Sequence, residues 1–309
     1  MMDLVWLTLP QVIANGLLQG SAIALGAIGL TLTYSILRFA NFTHGETISW
    51  GGYFTLTALA ALTPWIGGIG KWGGLTFGWG LVVALGVGVV GASLLALALD
   101  RLLFATLRRH GSAITLVIAS FGASLALRNL IVFVYGPESV QFTRELVIAD
   151  RWLGGLVRVT PDQLAVLGLS AALAVGLTVF LRFTTTGRAM RATAENPALA
   201  QITGIDTAHV VRTVWVLGAV LATLAGVFIG ITAQLRPELG FDLLLPLFAA
   251  AILGGIGSVP GAMLGGLIVG LAESAAVEYL HAGYRNAVGF LVLIAILVIR
   301  PTGLFAARG

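Results

Sequence analysis

Residues 11–62 read QVIANGLLQGSAIALGAIGLTLTYSILRFANFTHGETISWGGYFTLTALAAL. Two apolar stretches, 11–37 and 42–62, enclose the polar segment RFANFTHGE at 38–46, with almost no room for a water-exposed loop. A bilayer core takes about 20 helical residues to cross, so each flank is long enough to span it. Ionisable groups and irregular backbone at membrane depth are tolerated where they face a protein interior or a wet cavity. Asn41, Thr43, His44, Gly45, Glu46 and Ser49 therefore read as part of an interrupted helix that borders a pathway, loosened further by Gly51 and Gly52. The other reading is an ordinary turn with Arg38 and Glu46 solvated at the interface.

The rest of the chain repeats that character. Of 309 residues 58% are hydrophobic and only 10% charged, 41 are Gly, and the mean hydropathy is +1.00. A soluble chain carries about 25% charged residues, so a water-soluble enzyme, a nucleic-acid binder and a disordered tail are excluded. The net charge of +4 comes from arginines scattered among connections, with Lys71 the only lysine, and reports orientation before it reports any partner. With no Cys, thiolate catalysis, disulfides and Cys-based metal sites are excluded. The N-terminal MMDLVWLTLP lacks a basic region, so the first apolar stretch is expected to be a retained span.

Apolar windows fall at 11–37, 42–62, 78–99, 111–134, 162–183, 210–234, 243–257, 262–280 and 286–300, the seventh being the shortest. Arg101, Arg108 and Arg109 precede the fourth window, and Arg182, Arg188, Arg191 and Arg212 flank the connection after the fifth. Arg300 and Arg308 close the chain. The 135–161 loop balances Arg144, Arg151 and Arg158 against Glu138, Glu145 and Asp150, and 235–242 sets Arg236 against Glu238 and Asp242. Positive connections stay in the cytoplasm, which predicts an external N-terminus and a cytoplasmic C-terminus. The predicted fold is one all-α polytopic membrane domain over 1–309, with about nine transmembrane helices, some of them interrupted. The odd central span permits the segments before residue 100 and after 210 to be inverted repeats. Gly261–Gly265 and Gly266–Gly270 have the small-xxx-small spacing that lets helix backbones approach.

A second break is GGIGSVPG at 254–261, where Gly254, Gly255, Gly257, Ser258 and Pro260 cannot continue a straight helix. It reads either as a discontinuous helix of the kind that forms transporter sites near the midplane or as a tight turn between spans seven and eight. In the long connection 184–209, Asn196 is a helix cap, Pro197 a first helical residue and Gly204 a stop. A helix of about two turns is not stable alone, so it should dock on its own bundle or on a partner. His110, His209 and His281 have no partner at helical spacing, so no metal site is expected. Arg128 should snorkel, and Glu273 faces the interior with no role that the sequence assigns. His44 beside Glu46 lacks a nucleophile, which leaves no credible intramembrane catalytic group.

Taken in order, NFTHGE at 41–46, Gly187-Arg188 with Asn196 and Gly204-Ile205, and LGGIGSVPGA at 253–262 followed by Gly265-Gly266 resemble the membrane permease of branched-chain amino-acid ABC importers, the H-type subunit above all. The resemblance runs from about residue 11 to Gly303. It implies that 184–209 is the coupling loop, with Gly187, Arg188, Glu195, Asn196, Pro197, Ala200, Gly204 and Ile205 seated against a separate ATPase subunit. It implies as partners two ATPase subunits, a second permease chain (a related one, or a second copy), membrane lipid and a periplasmic binding protein that contacts the loops around 63–77 and 135–161. No nucleic acid is implied, and the location is the bacterial inner membrane. ATP and magnesium would reside in the ATPases. The chain's own Gly70-Lys71 is followed by Trp72, and Trp65 stands where a phosphate loop needs its first glycine. The competing expectation is a stand-alone channel or secondary transporter for a small polar solute such as urea or a short amide.

Overall fold

The computed structural model describes residues 2–66, 70–143, 148–300 and 303–305. Arg144, Glu145 and Arg308 of the charge pattern lie outside the described residues, as do 67–69 of the 63–77 loop and the side chain of His110. The helices, in chain order, are α1 (Met2–Leu37), α2 (Thr43–Ile66), α3 (Trp79–Leu99), α4 (Ala105–His110), α5 (Ala113–Tyr135), α6 (Pro161–Phe183), α7 (Thr185–Glu195), α8 (Pro197–Ile202), α9 (Thr207–Thr232), α10 (Leu239–Gly254), α11 (Val259–Tyr279) and α12 (Arg285–Ile299). A small antiparallel hairpin, β1 (Asp150–Trp152) and β2 (Val157–Val159), lies between α5 and α6.

Among the described residues, seven helical stretches are long and apolar enough to cross a membrane. The two remaining predicted spans are α2, of 24 residues, and α10, of 16. At 1.5 Å per residue α10 reaches about 24 Å, short of a hydrocarbon core of about 30 Å. Two connections expected as loops are helical. The chain from Trp79 to Arg109 is one 31-residue apolar helix that passes through a π turn at Asp100–Phe104 into α4, where Asp100 and Arg108 pair at 2.6 Å. The 184–209 connection contains α7, whose first turn Thr184 caps by accepting the amide of Gly187 at 3.0 Å.

Glycines decide how the bundle closes. In lipid there is no hydrophobic force between helices, so association depends on close packing. A Cβ at Gly270 would strike the backbone of Gly20, and one at Gly266 would lie 2.5 Å from the Cα of Ala24. Gly261 and Gly265 press instead on the carbonyls of Gly254 and Ala250. One small-residue pair therefore seats α11 against α1, and the other seats it against α10. Helices α2 and α9 complete the centre, while α3, α5, α6 and α12 lie outside with apolar side chains such as Val90, Phe133, Val179 and Leu291 exposed.

The two ends of the bundle are distinct. One carries the hairpin, tied down by Gln11, which accepts the amide of Arg158 at 2.7 Å, and the 70–78 segment, held to the start of α6 by Asp162, which accepts the amide and hydroxyl of Thr76 at 2.9 and 2.6 Å. The other carries α7 and α8. There the amides of His209 and Ala208 hold the Asp206 carboxyl below the usual carboxylate range, so this cap of α9 persists at neutral pH and is lost on acidification.

Gly270→Leu should destabilise the protein by about 3 kcal/mol or more, because backbone atoms cannot yield to the new side chain. Gly122→Leu, where a Cβ meets nothing within 4 Å, should be close to neutral. Thermal unfolding of the two variants in one detergent checks the difference.

Candidate functional site

The first break is where the sequence placed it, and it lies inside the bundle. α1 ends at Leu37, Arg38 takes a positive φ of 59°, and α2 starts at Thr43. Asn41, Thr43, His44, Gly45, Glu46 and Ser49 are all buried, Glu46 at 0% exposure, so Glu46 is not solvated, whereas Arg38 is exposed as the turn reading expects. Each polar group meets another element or caps its own. Asn41 Oδ1 accepts the Thr43 amide at 3.1 Å and its hydroxyl at 2.6 Å. His44 Nε2 donates to the Gly26 carbonyl at 2.9 Å, and Ser49 Oγ accepts the Gly240 amide at 2.8 Å. Ser124 donates to Glu46 Oε1 at a long 3.5 Å, and Glu46 Oε2 has no hydrogen-bond partner. At Gly45 a Cβ would collide with the Gly240 carbonyl, so glycine is required for α2 to cross α10 here.

The second break opposes the other end of α10, so the structure does not bring the two predicted segments together. Gly254 packs on Gly261. Gly255 and Gly257 take positive φ values of 90° and 89°, and Ser258 caps α11 by accepting the Gly261 amide at 3.1 Å. The amide of Gly257 donates to Thr31 Oγ1 at 2.7 Å. This is a tight turn anchored on α1.

Two cavities open along α1, α6 and α11, one toward each end of the bundle. The larger, about 780 Å³, opens toward the hairpin end. Its rim carries Asn15, Ser139, Gln141, Gln163, Arg236, Asp242, Glu278 and Arg285, and its deeper wall Gln19, Ile23, Val166, Leu243, Pro246 and Glu273. The smaller, about 260 Å³, opens beside α7 and is lined by Leu32, Ser35, Thr178, Leu181, Arg182, Met190 and Arg191 together with Gly257, Ser258, Val259 and Pro260. Residues 41–49 line neither. From Ile23 to Leu32, α1 runs about 13 Å between the two cavities. Over that interval the three helices contribute Leu25, Ile28, Ser170, Ala174, Ala262 and Val269, all buried, and the apolar ones belong to a single core cluster. The hydroxyl of Ser170 in this closed stretch has no hydrogen-bond partner.

At the α7–α8 end the predicted coupling residues form one capped unit. Asn196 Oδ1 accepts the Leu199 amide at 3.0 Å, Pro197 opens α8, and Gly204 with a φ of +87° turns the chain so that Ile205 donates to the Ala200 carbonyl at 3.0 Å. Gly187 and Ala200 are buried, whereas Arg188, Glu195, Asn196, Pro197 and Gly204 are exposed. Arg38 donates to the Ala194 carbonyl and Arg191 to that of Leu181, fastening α7 to the bundle. α8 displays Leu199 and Ile202 at 54% and 81% exposure.

A family model described as branched-chain amino acid transport system / permease component matches residues 12–297. The chain belongs to this family. It is 36% identical over 301 residues to the high-affinity branched-chain amino acid transport system permease protein LivH of Escherichia coli (strain K12), covering 95% of this chain and 94% of that one. It is 31% identical over 299 residues to BraD of Pseudomonas aeruginosa, with the same coverage, and 26% identical over 310 residues to the probable LivH of Methanocaldococcus jannaschii, covering 95% and 91%. Among solved structures, a chain from PsaBC of Streptococcus pneumoniae in complex with Fab aligns at a TM-score of 0.47 and 16% identity, over 93% of this chain and 91% of that one. A permease of this family is a multi-pass membrane component that works with other ABC subunits.

Gln19, Ser170 and Glu273 are absent from the predicted site. The available signal was polarity at helical spacing on otherwise apolar spans, and it was read only for Glu273. Because the chain has no Cys, single cysteines report the cavities directly. Gln19→Cys and Ser35→Cys in purified protein should react readily with a small thiol reagent. Ser49→Cys should react more slowly by about tenfold or more, the factor that 1.4 kcal/mol of local opening gives. Equal rates at all three positions would show that water also reaches 41–49.

Proposed function

We propose that this chain forms the solute path of an ATP-driven importer for branched-chain amino acids, and that the path runs along α1, α6 and α11. The observation that carries the reading is the pair of cavities on the same three helices, one toward each end, with a dry apolar interval between them. Alternating access needs that arrangement, since a solute must leave one compartment before the other opens. Gly257 and Ser258 border the inner mouth of the path, and Gln19 and Glu273 its outer chamber. The buried polar groups at 41–49 act as the joint that holds α2 against α10 and α9 while the path moves.

The hairpin end faces outward in this reading, with the N-terminus external. Arg101, Arg108, Arg109, Arg182, Arg188, Arg191 and Arg212 gather toward the α7–α8 end, against Asp100, Glu195 and Asp206, and an excess of arginine marks the cytoplasmic side. The hairpin and the 70–78 segment are then where a periplasmic binding protein delivers solute. α8 seats in a cleft on an ATPase subunit, and Leu199 and Ile202, exposed on a helix too short to stand alone, are its contact. Two ATPase subunits hold ATP and magnesium and perform hydrolysis. A second permease chain, a related one or a second copy, completes the assembly, and lipid covers the remaining outer helices.

Gly204→Leu forces a side chain into the left-handed conformation, at a cost of about 1–2 kcal/mol, and Pro197→Gly loosens the first turn of α8. In the reconstituted assembly either change should cut the stimulation of ATP hydrolysis by loaded binding protein by about fivefold or more, in the usual range for a coupling energy. Membrane insertion should be unaffected. Unchanged stimulation would remove the coupling role, and uptake by the chain alone without nucleotide would replace the ATP-driven reading with a stand-alone transporter.

A further inference from the structure

The deep wall of the larger cavity holds an acceptor-rich spot with no cation on it. Glu273 is 1% exposed, in the middle of the outer half of α11. A carboxylate out of water is costly unless it is paired and hydrogen-bonded. Here Gln19 Nε2 donates to Oε2 at 2.7 Å, while Oε1 has no partner among the described residues. Gln19 supplies a donor but no charge. Arg285 lines the same cavity, and no ion pair joins it to Glu273 among the described residues. The other acids of the cavity are provided for: Asp242 is paired with Arg236 at 2.9 Å, and Glu278 is exposed to solvent.

Pro246, buried in α10 and lining the cavity, has no amide hydrogen, so it leaves the Asp242 carbonyl without the bond that residue 246 would otherwise give it. Glu273 Oε1 and the Pro246 nitrogen stand 3.8 and 3.9 Å from the point where a Cβ on Gly289 would sit, which places both beside one location. Glu273 Oε1 is therefore an acceptor left without a donor among the described residues, close to a helix turn that lacks one amide hydrogen. A primary ammonium group, with a full positive charge and three N–H donors, is the chemical complement.

We propose that this cavity is a station for a zwitterionic α-amino acid, in which Glu273 receives the ammonium group as it displaces Gln19. Arg285 at the rim attracts the solute carboxylate, and Ile23, Val166 and Leu243 offer aliphatic surface to its side chain. A neutral solute such as urea or a short amide would leave the carboxylate uncompensated, so Glu273 sets a preference for ammonium-bearing solutes. The inference rests on the import reading above and adds the residue that recognises the charge.

The test uses the complete assembly, with ATPases and binding protein, in proteoliposomes and radiolabelled leucine as probe. Glu273→Gln keeps the shape and the Gln19 contact but removes the charge. It should lower leucine uptake about tenfold or more, as expected for loss of a charged hydrogen bond, while hydrolysis stimulated by loaded binding protein stays within about twofold of wild type. Glu273→Asp should retain most of the uptake. Wild-type uptake in Glu273→Gln, or equal losses in both variants, overturns the proposal and leaves the import reading standing; a wild-type assembly that moves no leucine overturns the branched-chain import reading itself. A second measurement does not depend on either variant folding. With Glu273 intact and the reporter Asn15→Cys on the cavity rim, leucine should slow modification by a thiol reagent and its α-hydroxy analogue should not. Protection by both compounds, or by neither, also overturns the proposal.

Discussion

The contact that most of the structure depends on is the backbone approach of α1 to α11. Gly20 meets Gly270, Ala24 meets Gly266, and Gly16 accepts the Leu271 side of α11 with no Cβ between them. At that separation dispersion and weak backbone contacts add up along the whole interface, which is what association in lipid requires. The same approach sets the chemistry. Gln19 and Glu273 flank the Gly20–Gly270 contact, and their 2.7 Å bond is possible because the helices are this close. One turn of α11 away, Ser274 donates to the Val12 carbonyl at 2.9 Å and fixes the rotation of α11. The larger cavity thus has one wall fixed by this helix contact.

The break between α1 and α2 solves a different problem. A chain that leaves a helix inside a bundle exposes amides and carbonyls that lipid cannot satisfy. Asn41 takes the Thr43 amide and Ser49 takes the Gly240 amide that opens α10, while His44 adds a bond to the Gly26 carbonyl in the interior of α1. Polar side chains at 41–49 therefore satisfy backbone groups on three different helices. Gly45 and Gly240 interlock beside them, each occupying the space that a Cβ on the other would need. The beginnings of α2 and α10 are consequently one mechanical unit.

Much of this was legible in the sequence, and the reasons are specific. Apolar windows located the long helices, since lipid demands length and composition and little else. The Asn196, Pro197 and Gly204 signals gave α8 because caps and stops act locally. By contrast α7 was missed: its sequence TTGRAMRATAE is polar on average and helical through one threonine cap and a single buried face of Gly187, Met190 and Thr193. The extension of α3 into α4 was hidden because Arg108 looks like a loop residue until Asp100, two turns back, is seen to neutralise it. The cavities were not legible at all. Residues 41–49 and 254–261 are conspicuous because several polar or flexible residues fall together. Gln19, Ser170 and Glu273 are isolated on three separate helices and become a set only when packing brings α1, α6 and α11 together.

The interval between the cavities explains why such a path needs an external source of work. To connect the chambers, Leu25, Ile28 and Val269 at least must leave a dry cluster. Wetting three aliphatic side chains costs roughly 5–9 kcal/mol, at about 1.5–3 kcal/mol each. A solute held weakly enough to be released supplies about 4 kcal/mol at a millimolar Kd, which leaves the closed state favoured. Under the function proposed above, that shortfall would be met by input at α8, and α7 is fastened by Arg191 to the Leu181 carbonyl on α6 and by its Ala194 carbonyl to Arg38 at the end of α1. α7 thus ties α8 to the two helices that flank the smaller cavity.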